Sequence, residues 1–276
     1  MMRTIVAGNN KLAADILEWL IENYREDVVG IVAEGKDMTD SDVLWERPFL
    51  PVASKISKIF DIPLFAGDIN KHAPELEKLN PDLISPNRWK GLVKPIILDM
   101  PVYGCSNLHY GGLPKYGGMC PSFWAIMNGE EKVGVTLHWM EPGFDEGEII
   151  DQRFFDITSG ERVLELPDKE IVVRGWTDFE IYNHSNKLAA EMYQKNYPQM
   201  RLGREGGRKQ DLGQRLYFDS KETDKKKGEV IESLQRLESL SEEEIGIRVR
   251  AMTFPYFGAL KGKYKGMEVE LKLEGK

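Results

Sequence analysis

Short apolar runs alternate with amphipathic segments along the first third of the chain, and this alternation constrains the fold most. Buried strands are predicted at Arg3–Gly8, Asp27–Ala33, Ile62–Ala66 and Asp82–Ser85. Helices are predicted after the capping residue Asn10, at Val52–Phe60 and at His72–Leu79. Strands that alternate with helices form a parallel sheet with helices on both faces. The sequence therefore predicts an α/β fold with a mostly parallel, doubly wound sheet.

The pattern changes in the second part of the chain. Strands are predicted at Gly104–His109, Gly134–Met140 and Glu148–Ile157, helices at Ser122–Asn128 and Asp178–Asn196, and an irregular Gly-rich loop from Pro114 to Pro121. After Pro198 the composition becomes rich in Gly and charged residues, which predicts a boundary near residue 200. The predicted organisation is a catalytic domain at 1–200 and a small α+β region at 201–276. That region is expected to hold a helix at Glu242–Met252 and a hairpin at Leu260–Leu273 that turns at Gly262 or Gly266.

Composition excludes several classes of protein. The net charge is −8, which disfavours wide contact with nucleic acid or membrane surfaces. No apolar stretch is long enough to span a bilayer, and the first twenty or so residues lack a signal-peptide pattern. Cys105 and Cys120 form no disulfide framework, so a cytoplasmic protein is expected. A dinucleotide-binding site would carry several glycines at the end of the first strand, but only Gly8 is present there, so NAD binding is not expected. The Cys and His residues match no common zinc-binding spacing, so no metal is expected either.

Chemistry is concentrated between Asn107 and Gly147. Asn107 and His109 are two residues apart on a predicted strand, so their side chains leave the same face near its carboxyl end. Asp145 lies between two glycines that allow a sharp turn. An amide, an imidazole and a carboxylate suit acyl transfer to an amine, through oxyanion stabilisation and proton transfer. The alternative is a polar pair at a strand end and an ordinary turn.

Motifs in this stretch resemble those of the folate-dependent formyltransferases. They are Asn107-Leu108-His109, Leu113-Pro114-Lys115-Tyr116, Trp124-Ala125-Ile126, Asn128-Gly129, Gly134-Val135-Thr136 and Asp145-Glu146-Gly147. Tyr110 after the histidine resembles the branch that formylates amino groups on nucleotide-linked sugars. The stretch from Arg250 to Tyr256 also resembles a C-terminal motif of that branch. Gly112 and Gly117 depart from it, since the family often has Leu and Arg there.

The resemblance implies a Rossmann-like formyltransferase fold and assigns roles to three groups of residues. The implied catalytic residues are Asn107, His109 and Asp145. The implied binding residues for the donor, 10-formyltetrahydrofolate, are Trp89, Leu92, Val93, Met140 and Gly143. The implied substrate-binding residues are Tyr110, Lys115, Arg250, Phe254 and Tyr256. The implied acceptor is a nucleotide-linked amino-dideoxy sugar, with a homodimer as the assembly to be tested.

Several alternatives stay open at this point. A methionyl-tRNA formyltransferase is the nearer rival, and a catalytically inactive nucleotide-sugar or folate-binding protein is the farther one. Either His109 or a water held by Asp145 removes the proton of the amine. His138 shares a face with Thr136 and Met140, which fits a supporting role at the site or plain packing equally well. Phe254 and Tyr256 fit either a base pocket or the core of the C-terminal region.

Overall fold

The computed structural model describes residues 1–34, 48–89, 91–204, 206–255 and 259–275. The chain groups into two units, each built from separate segments. The first unit comprises Met1–His109, Val135–Gln152 and Asn186–Gln214, and the second comprises Tyr110–Gly134, Arg153–Ser185 and Arg215–Lys276. The division near residue 200 stays a prediction.

Strands and helices are as follows in the described part of the chain. The strands are Thr4–Gly8 (β1), Val28–Ala33 (β2), Leu64–Ala66 (β3), Leu83–Asn87 (β4), Ser106–His109 (β5), Tyr116–Gly118 (β6), Lys132–Trp139 (β7), Ile149–Asp156 (β8), Glu161–Leu166 (β9), Lys169–Arg174 (β10), Leu216–Phe218 (β11), Lys261–Tyr264 (β12), Met267–Glu270 (β13) and Leu273–Gly275 (β14). The α-helices are Lys11–Tyr24 (α1), Phe49–Phe60 (α2), Ala73–Glu77 (α3), Pro95–Leu98 (α4), Pro121–Met127 (α5), Asp178–Met200 (α6), Ser220–Ser233 (α7) and Glu242–Met252 (α8).

The first unit is built on a parallel sheet in the order β3-β2-β1-β4, which confirms the predicted α/β fold. A parallel bridge between Ile84 and Cys105 brings the start of β5 beside β4. Strand β5 pairs antiparallel with β7, which pairs in turn with β8. Asn10 caps α1 by accepting a hydrogen bond from the Ala13 backbone N–H, as predicted. Gly8 is required before that helix, because a Cβ there would lie 2.3 Å from the Cβ of Ala13.

The second unit holds the β9–β10 hairpin, with β14 on the other side of β9. Strand β6 pairs in parallel with β11. The predicted helix Glu242–Met252 is confirmed, and it begins with a capping box between Ser241 and Glu244. The β12–β13 hairpin turns at Lys265 and Gly266, both with positive φ, which confirms Gly266 as the turn glycine.

Some elements differ from the prediction. The loop predicted between Pro114 and Pro121 contains the short strand β6, because β11 supplies a pairing partner from about a hundred residues farther along the chain. The sequence predicts that helix α6 ends at Asn196, whereas it continues past Pro198 to Met200. None of the described helices is both long enough and apolar enough to span a membrane.

Candidate active site

Strands β5 and β7 bring the predicted polar residues together at the end of β5. Asn107 lies opposite His138, and His109 lies opposite Thr136, in the antiparallel register of the two strands. Asp145 lies in the connection between β7 and β8. All five residues belong to the first unit. The structure therefore groups the three predicted catalytic residues, and it adds His138 to them.

The Asp145 carboxylate faces two imidazole rings. Its Oδ1 lies 3.6 Å from Nδ1 of His109 and 3.7 Å from Nε2 of His138. The side chains are 14% exposed for Asp145, 9% for His109 and 2% for His138. A carboxylate in such sheltered surroundings favours the protonated form of a neighbouring imidazole. The arrangement thus stabilises the positive charge that an imidazole acquires when it takes up a proton.

Asn107 is oriented by two partners. The Arg88 backbone N–H donates to its Oδ1 over 3.3 Å, which turns its Nδ2 toward Nε2 of His138, also at 3.3 Å. The His138 Nδ1–H donates to the Trp139 carbonyl over 2.8 Å, so that Nε2 is an acceptor. The amide carries two hydrogens, and His138 accepts only one of them. The other is available to an oxygen of a substrate.

The loop that carries Asp145 has little freedom. Asp145 has a φ of 56°, in the left-handed region that non-glycine residues seldom adopt. A Cβ at Gly147 would lie 1.8 Å from the Trp139 carbonyl oxygen, so only glycine fits there. The Asp145-Glu146-Gly147 motif therefore ends in glycine for a steric reason, because the loop passes close to the end of β7 at Gly147.

His138 is the residue for which we expect a distinctive pH dependence. Burial lowers its pKa below the ordinary 6.5, against the opposing effect of the Asp145 carboxylate. The unfolded chain therefore binds the proton more readily, and the stability that His138 contributes is complete above pH 6.5 and is lost as the pH falls below that value. We expect NMR at about pH 6.5 to show a neutral ring protonated on Nδ1. A measured pKa at or above the ordinary value would contradict this.

The predicted folate-binding residues lie on two segments of the first unit. Val93 is 4% exposed and belongs to a hydrophobic cluster against which Trp89 and Met140 pack. Leu92 is 48% exposed, and Gly143 is in the same loop as Asp145. Val93 is thus part of a buried core, whereas Trp89 and Met140 are partly exposed at its margin. Folate binding by these residues stays a prediction.

Four of the five predicted substrate-binding residues, Tyr110, Lys115, Arg250 and Phe254, are described, and they belong to the second unit. The Tyr110 ring lies 5.8 Å from that of Tyr182, and the Lys115 ammonium pairs with Glu130. Arg250 donates from Nε to the Trp176 carbonyl over 2.9 Å. Tyr256 lies outside the described residues. Contact of these residues with a substrate stays a prediction.

The surroundings of Phe254 bear on whether its ring lines a pocket for a nucleotide base or belongs to the core of the second unit. It is 7% exposed, and its ring centroid lies 5.4 Å from that of Phe179 and 5.3 Å from that of Tyr182. We expect Phe254→Ala to lower the free energy of unfolding by about 3–5 kcal/mol, because truncation leaves a cavity. Phe154→Ala is the control, since Phe154 is 56% exposed, and it should destabilise much less. Thermal denaturation of both variants measures the difference, and an unchanged Tm for Phe254→Ala would contradict the core position.

The grouped side chains define the chemistry of the site. An amide N–H can donate to a developing oxyanion, an imidazole can move a proton, and a carboxylate can stabilise the resulting charge. Across the described ranges, no three His, Cys, Asp or Glu side chains are grouped as metal ligands would be. The geometry fits transfer of an acyl group to a nucleophile.

Comparison with known sequences gives a consistent result. The family described as Formyl transferase matches residues 2–170. The methionyl-tRNA formyltransferase of Alkaliphilus oremlandii (strain OhILAs) is 33% identical over 171 residues, which cover 61% of this chain and 54% of that protein. That of Clostridioides difficile (strain 630) is 32% identical over 170 residues, again 61% of this chain and 54% of the relative. The chain thus spans about half the length of the curated relatives it matches.

Solved structures share the fold over nearly the whole chain. WlaRD, a sugar 3N-formyl transferase crystallised with dTDP and 5-N-formyl-THF, has a TM-score of 0.70 and 21% identity, covering 98% of this chain and 85% of that one. An N-formyltransferase from Helicobacter canadensis, in complex with folinic acid and dTDP-3-aminofucose, has a TM-score of 0.70 at 19% identity and covers 99% and 100%. A 4-N formyltransferase from Francisella tularensis has a TM-score of 0.67 at 19% identity and covers 100% and 98%.

Proposed function

The chain belongs to the formyl transferase family, and from that membership we propose that it is a sugar N-formyltransferase. In this proposal it transfers the formyl group of 10-formyltetrahydrofolate to the amino group of a nucleotide-linked amino-dideoxy sugar. The observation that carries the proposal is the grouping of the Asn107 amide, the His109 imidazole and the Asp145 carboxylate at the end of β5. These are the three functional groups that formyl transfer to an amine requires.

The donor supplies a formyl group on a nitrogen atom. Negative charge develops on the formyl oxygen as the amine attacks, and the second N–H of Asn107 is the donor that stabilises it. His138 and the Arg88 backbone N–H hold that amide in place from its other side. Because the contact strengthens as charge develops, it raises kcat more than it improves substrate binding.

The proton balance requires a base, for which His109 and a water held by Asp145 are the two candidates. The attacking amine loses a proton, a new carbon–nitrogen bond forms, and the departing nitrogen of the donor gains a proton as the old bond breaks. His109, with Asp145 at 3.6 Å from its Nδ1, takes part in this transfer as an imidazole whose charged form the carboxylate stabilises. A water held by Asp145 is the alternative base.

The choice of a sugar acceptor is supported by what two structurally similar proteins bind. WlaRD is a sugar 3N-formyl transferase crystallised with dTDP, and the Helicobacter canadensis enzyme is in complex with dTDP-3-aminofucose. The net charge of −8 also disfavours a tRNA acceptor, since binding to nucleic acid depends on neutralising phosphates.

The proposal extends to details of the substrate and its setting. The acceptor is a 4-amino-4,6-dideoxyhexose of the kind used in bacterial surface polysaccharides such as O-antigens. The enzyme is cytoplasmic and homodimeric, and it binds neither nucleic acid nor membranes. Folate as the donor is supported by the similar structures, which were crystallised with 5-N-formyl-THF and with folinic acid.

Incubation with 10-formyltetrahydrofolate and a panel of nucleotide-linked amino sugars tests the proposal. The panel varies the position of the amino group and the nucleotide base, with the corresponding hydroxy sugars as negative controls. We expect mass spectrometry to show addition of one formyl group to an amino sugar and none to a hydroxy sugar. Absence of transfer to every amino sugar, by an enzyme that formylates methionyl-tRNA, would replace the proposal with its rival.

A further inference from the structure

We propose that Gln210 is a positioning residue that holds the Asp145 loop in its reactive conformation; this rests on the proposed catalytic role of Asp145. The Gln210 Nε2 lies 2.8 Å from the carbonyl oxygen of Asp145 and 2.6 Å from that of Gly147. The two hydrogens of one amide therefore fix the main chain at Asp145 and two residues beyond it. All three residues belong to the first unit.

The donor orientation of the amide follows from its surroundings. Both neighbours of Nε2 are carbonyl oxygens, which accept hydrogen bonds only, so the reverse orientation would place Oε1 against them. Oε1 is itself buried, and among the described residues it has no hydrogen-bond partner. A buried acceptor left without a partner is destabilising. The two hydrogen bonds donated by Gln210 Nε2 are therefore formed at the cost of leaving its Oε1 buried without a partner in the described part of the chain.

Backbone hydrogen bonds join the segment that carries Gln210 to the start of strand β8. Arg208 and Ile149 exchange two backbone hydrogen bonds, with N–O distances of 2.8 and 2.9 Å. Gly207 lies so close to this strand that a Cβ would be 2.8 Å from the Cβ of Glu148 and 2.9 Å from the carbonyl oxygen of Ile149. This pairing of Arg208 with Ile149 brings Gln210, two residues after Arg208, within hydrogen-bond distance of the loop that carries Asp145.

The loop needs such support because Asp145 adopts a left-handed φ of 56°. A non-glycine residue keeps that conformation only when its surroundings hold it there. A shift of the loop would change the distances from Oδ1 of Asp145 to the His109 and His138 rings, which are 3.6 and 3.7 Å. Gln210 therefore acts on the reaction through Asp145 and has no contact with the reacting atoms in this account.

Two variants of Gln210 and one control test the proposal. Q210M keeps the length of the side chain and removes both donors, and Q210E replaces them with a carboxylate. We expect Q210M to lower kcat by about 10- to 100-fold, with KM for donor and acceptor changed by less than about 2-fold, because misplacement of a reacting group by an ångström has effects of that size. Q214M is the control, since Gln214 is exposed and its amide donates to the Asp211 carboxylate four residues along the chain from Gln210. It should retain wild-type kcat.

The pH profile separates positioning from a general loss of stability. In Q210E the activity relative to wild type should rise as the pH falls, because a protonated carboxyl regains one donor hydrogen; Q210M should show no such recovery. This comparison remains decisive where Q210M folds poorly. A constant ratio of Q210E to wild-type activity across the pH range would overturn the proposal.

A double-mutant cycle with Asp145 completes the test. If Gln210 acts through the Asp145 carboxylate, Q210M should cause little further loss of kcat in a D145N background, measured in single turnovers. An equal loss in both backgrounds, or a Q210M kcat within about 2-fold of wild type, would overturn the proposal. Wild-type activity in D145N would instead overturn the catalytic role of Asp145. The two failures are therefore distinguishable.

Discussion

We expect replacement of His109 with Asn to lower kcat by about 10²–10⁴-fold, the usual contribution of a positioned acid–base group, and to leave the fold intact. Asn fills much of the imidazole's space but cannot take up the proton that the attacking amine loses. Asp145→Asn should reduce kcat similarly, because its carboxylate lies 3.6 Å from the His109 ring and stabilises its charged form. Steady-state kinetics on folded variants measure both effects.

His72→Asn is the matched control for the first prediction. His72 is also in the first unit, where its Nε2 contacts the Ala66 carbonyl at 3.0 Å, and it has no part in the proposed mechanism. Its kcat should be that of the wild type. Near-wild-type turnover by folded His109→Asn or Asp145→Asn would remove that residue from the mechanism.

Asn107→Ala is the second substitution with a large expected effect. In the proposed mechanism it removes the N–H that stabilises the developing oxyanion, and loss of one such donor lowers kcat by about 10²–10³-fold. The loss should appear in kcat and leave KM nearly unchanged, because the contact strengthens only in the transition state. Kinetics with each substrate varied in turn separate the two parameters.

Asn23→Ala is the control for Asn107. Asn23 is exposed and donates to the Trp19 carbonyl within α1, so its loss should leave both kinetic parameters unchanged. An Asn107→Ala enzyme with raised KM and wild-type kcat would show that Asn107 binds the ground state. That result would require another oxyanion donor.

The placement of Asn107 and His109 on one face of a strand could be predicted because its signal is local. Asn107 and His109 lie two residues apart, and a strand places such residues on one face whatever surrounds it. Asp145 lies between two glycines, one of which the structure requires for close approach to Trp139. The supporting role of His138 depends on strand register, which places it opposite Asn107 and which the sequence alone left open.

Contacts between distant segments explain what the sequence did not reveal. Gln210 is more than sixty residues from Asp145 along the chain, and it meets the loop only because Arg208 pairs with Ile149. No local pattern signals such a residue. The extension of α6 past Pro198 has a similar origin, since Tyr193 and Tyr197 are fully buried and their packing holds the last turns.

Half-exposed strands were also difficult to predict. Strands β9 and β10 lie outside the predicted elements, because charged residues alternate with apolar ones and keep the average hydrophobicity low. In β9 the exposed Glu165 stands between the buried Leu164 and Leu166. This period of two, followed by the turn at Pro167 and Asp168, is the signal that identifies the hairpin.

Competition between two acceptors in a single reaction tests the central claim most directly. The wild-type enzyme receives 10-formyltetrahydrofolate with a nucleotide-linked 4-amino-4,6-dideoxyhexose and methionyl-tRNA together, and the two formylated products are quantified over time. At equal concentrations of the two acceptors, the ratio of the initial rates of product formation gives the ratio of the two kcat/KM values. The account predicts formylation of the amino sugar with negligible formylation of the tRNA. Preferential formylation of methionyl-tRNA would contradict it.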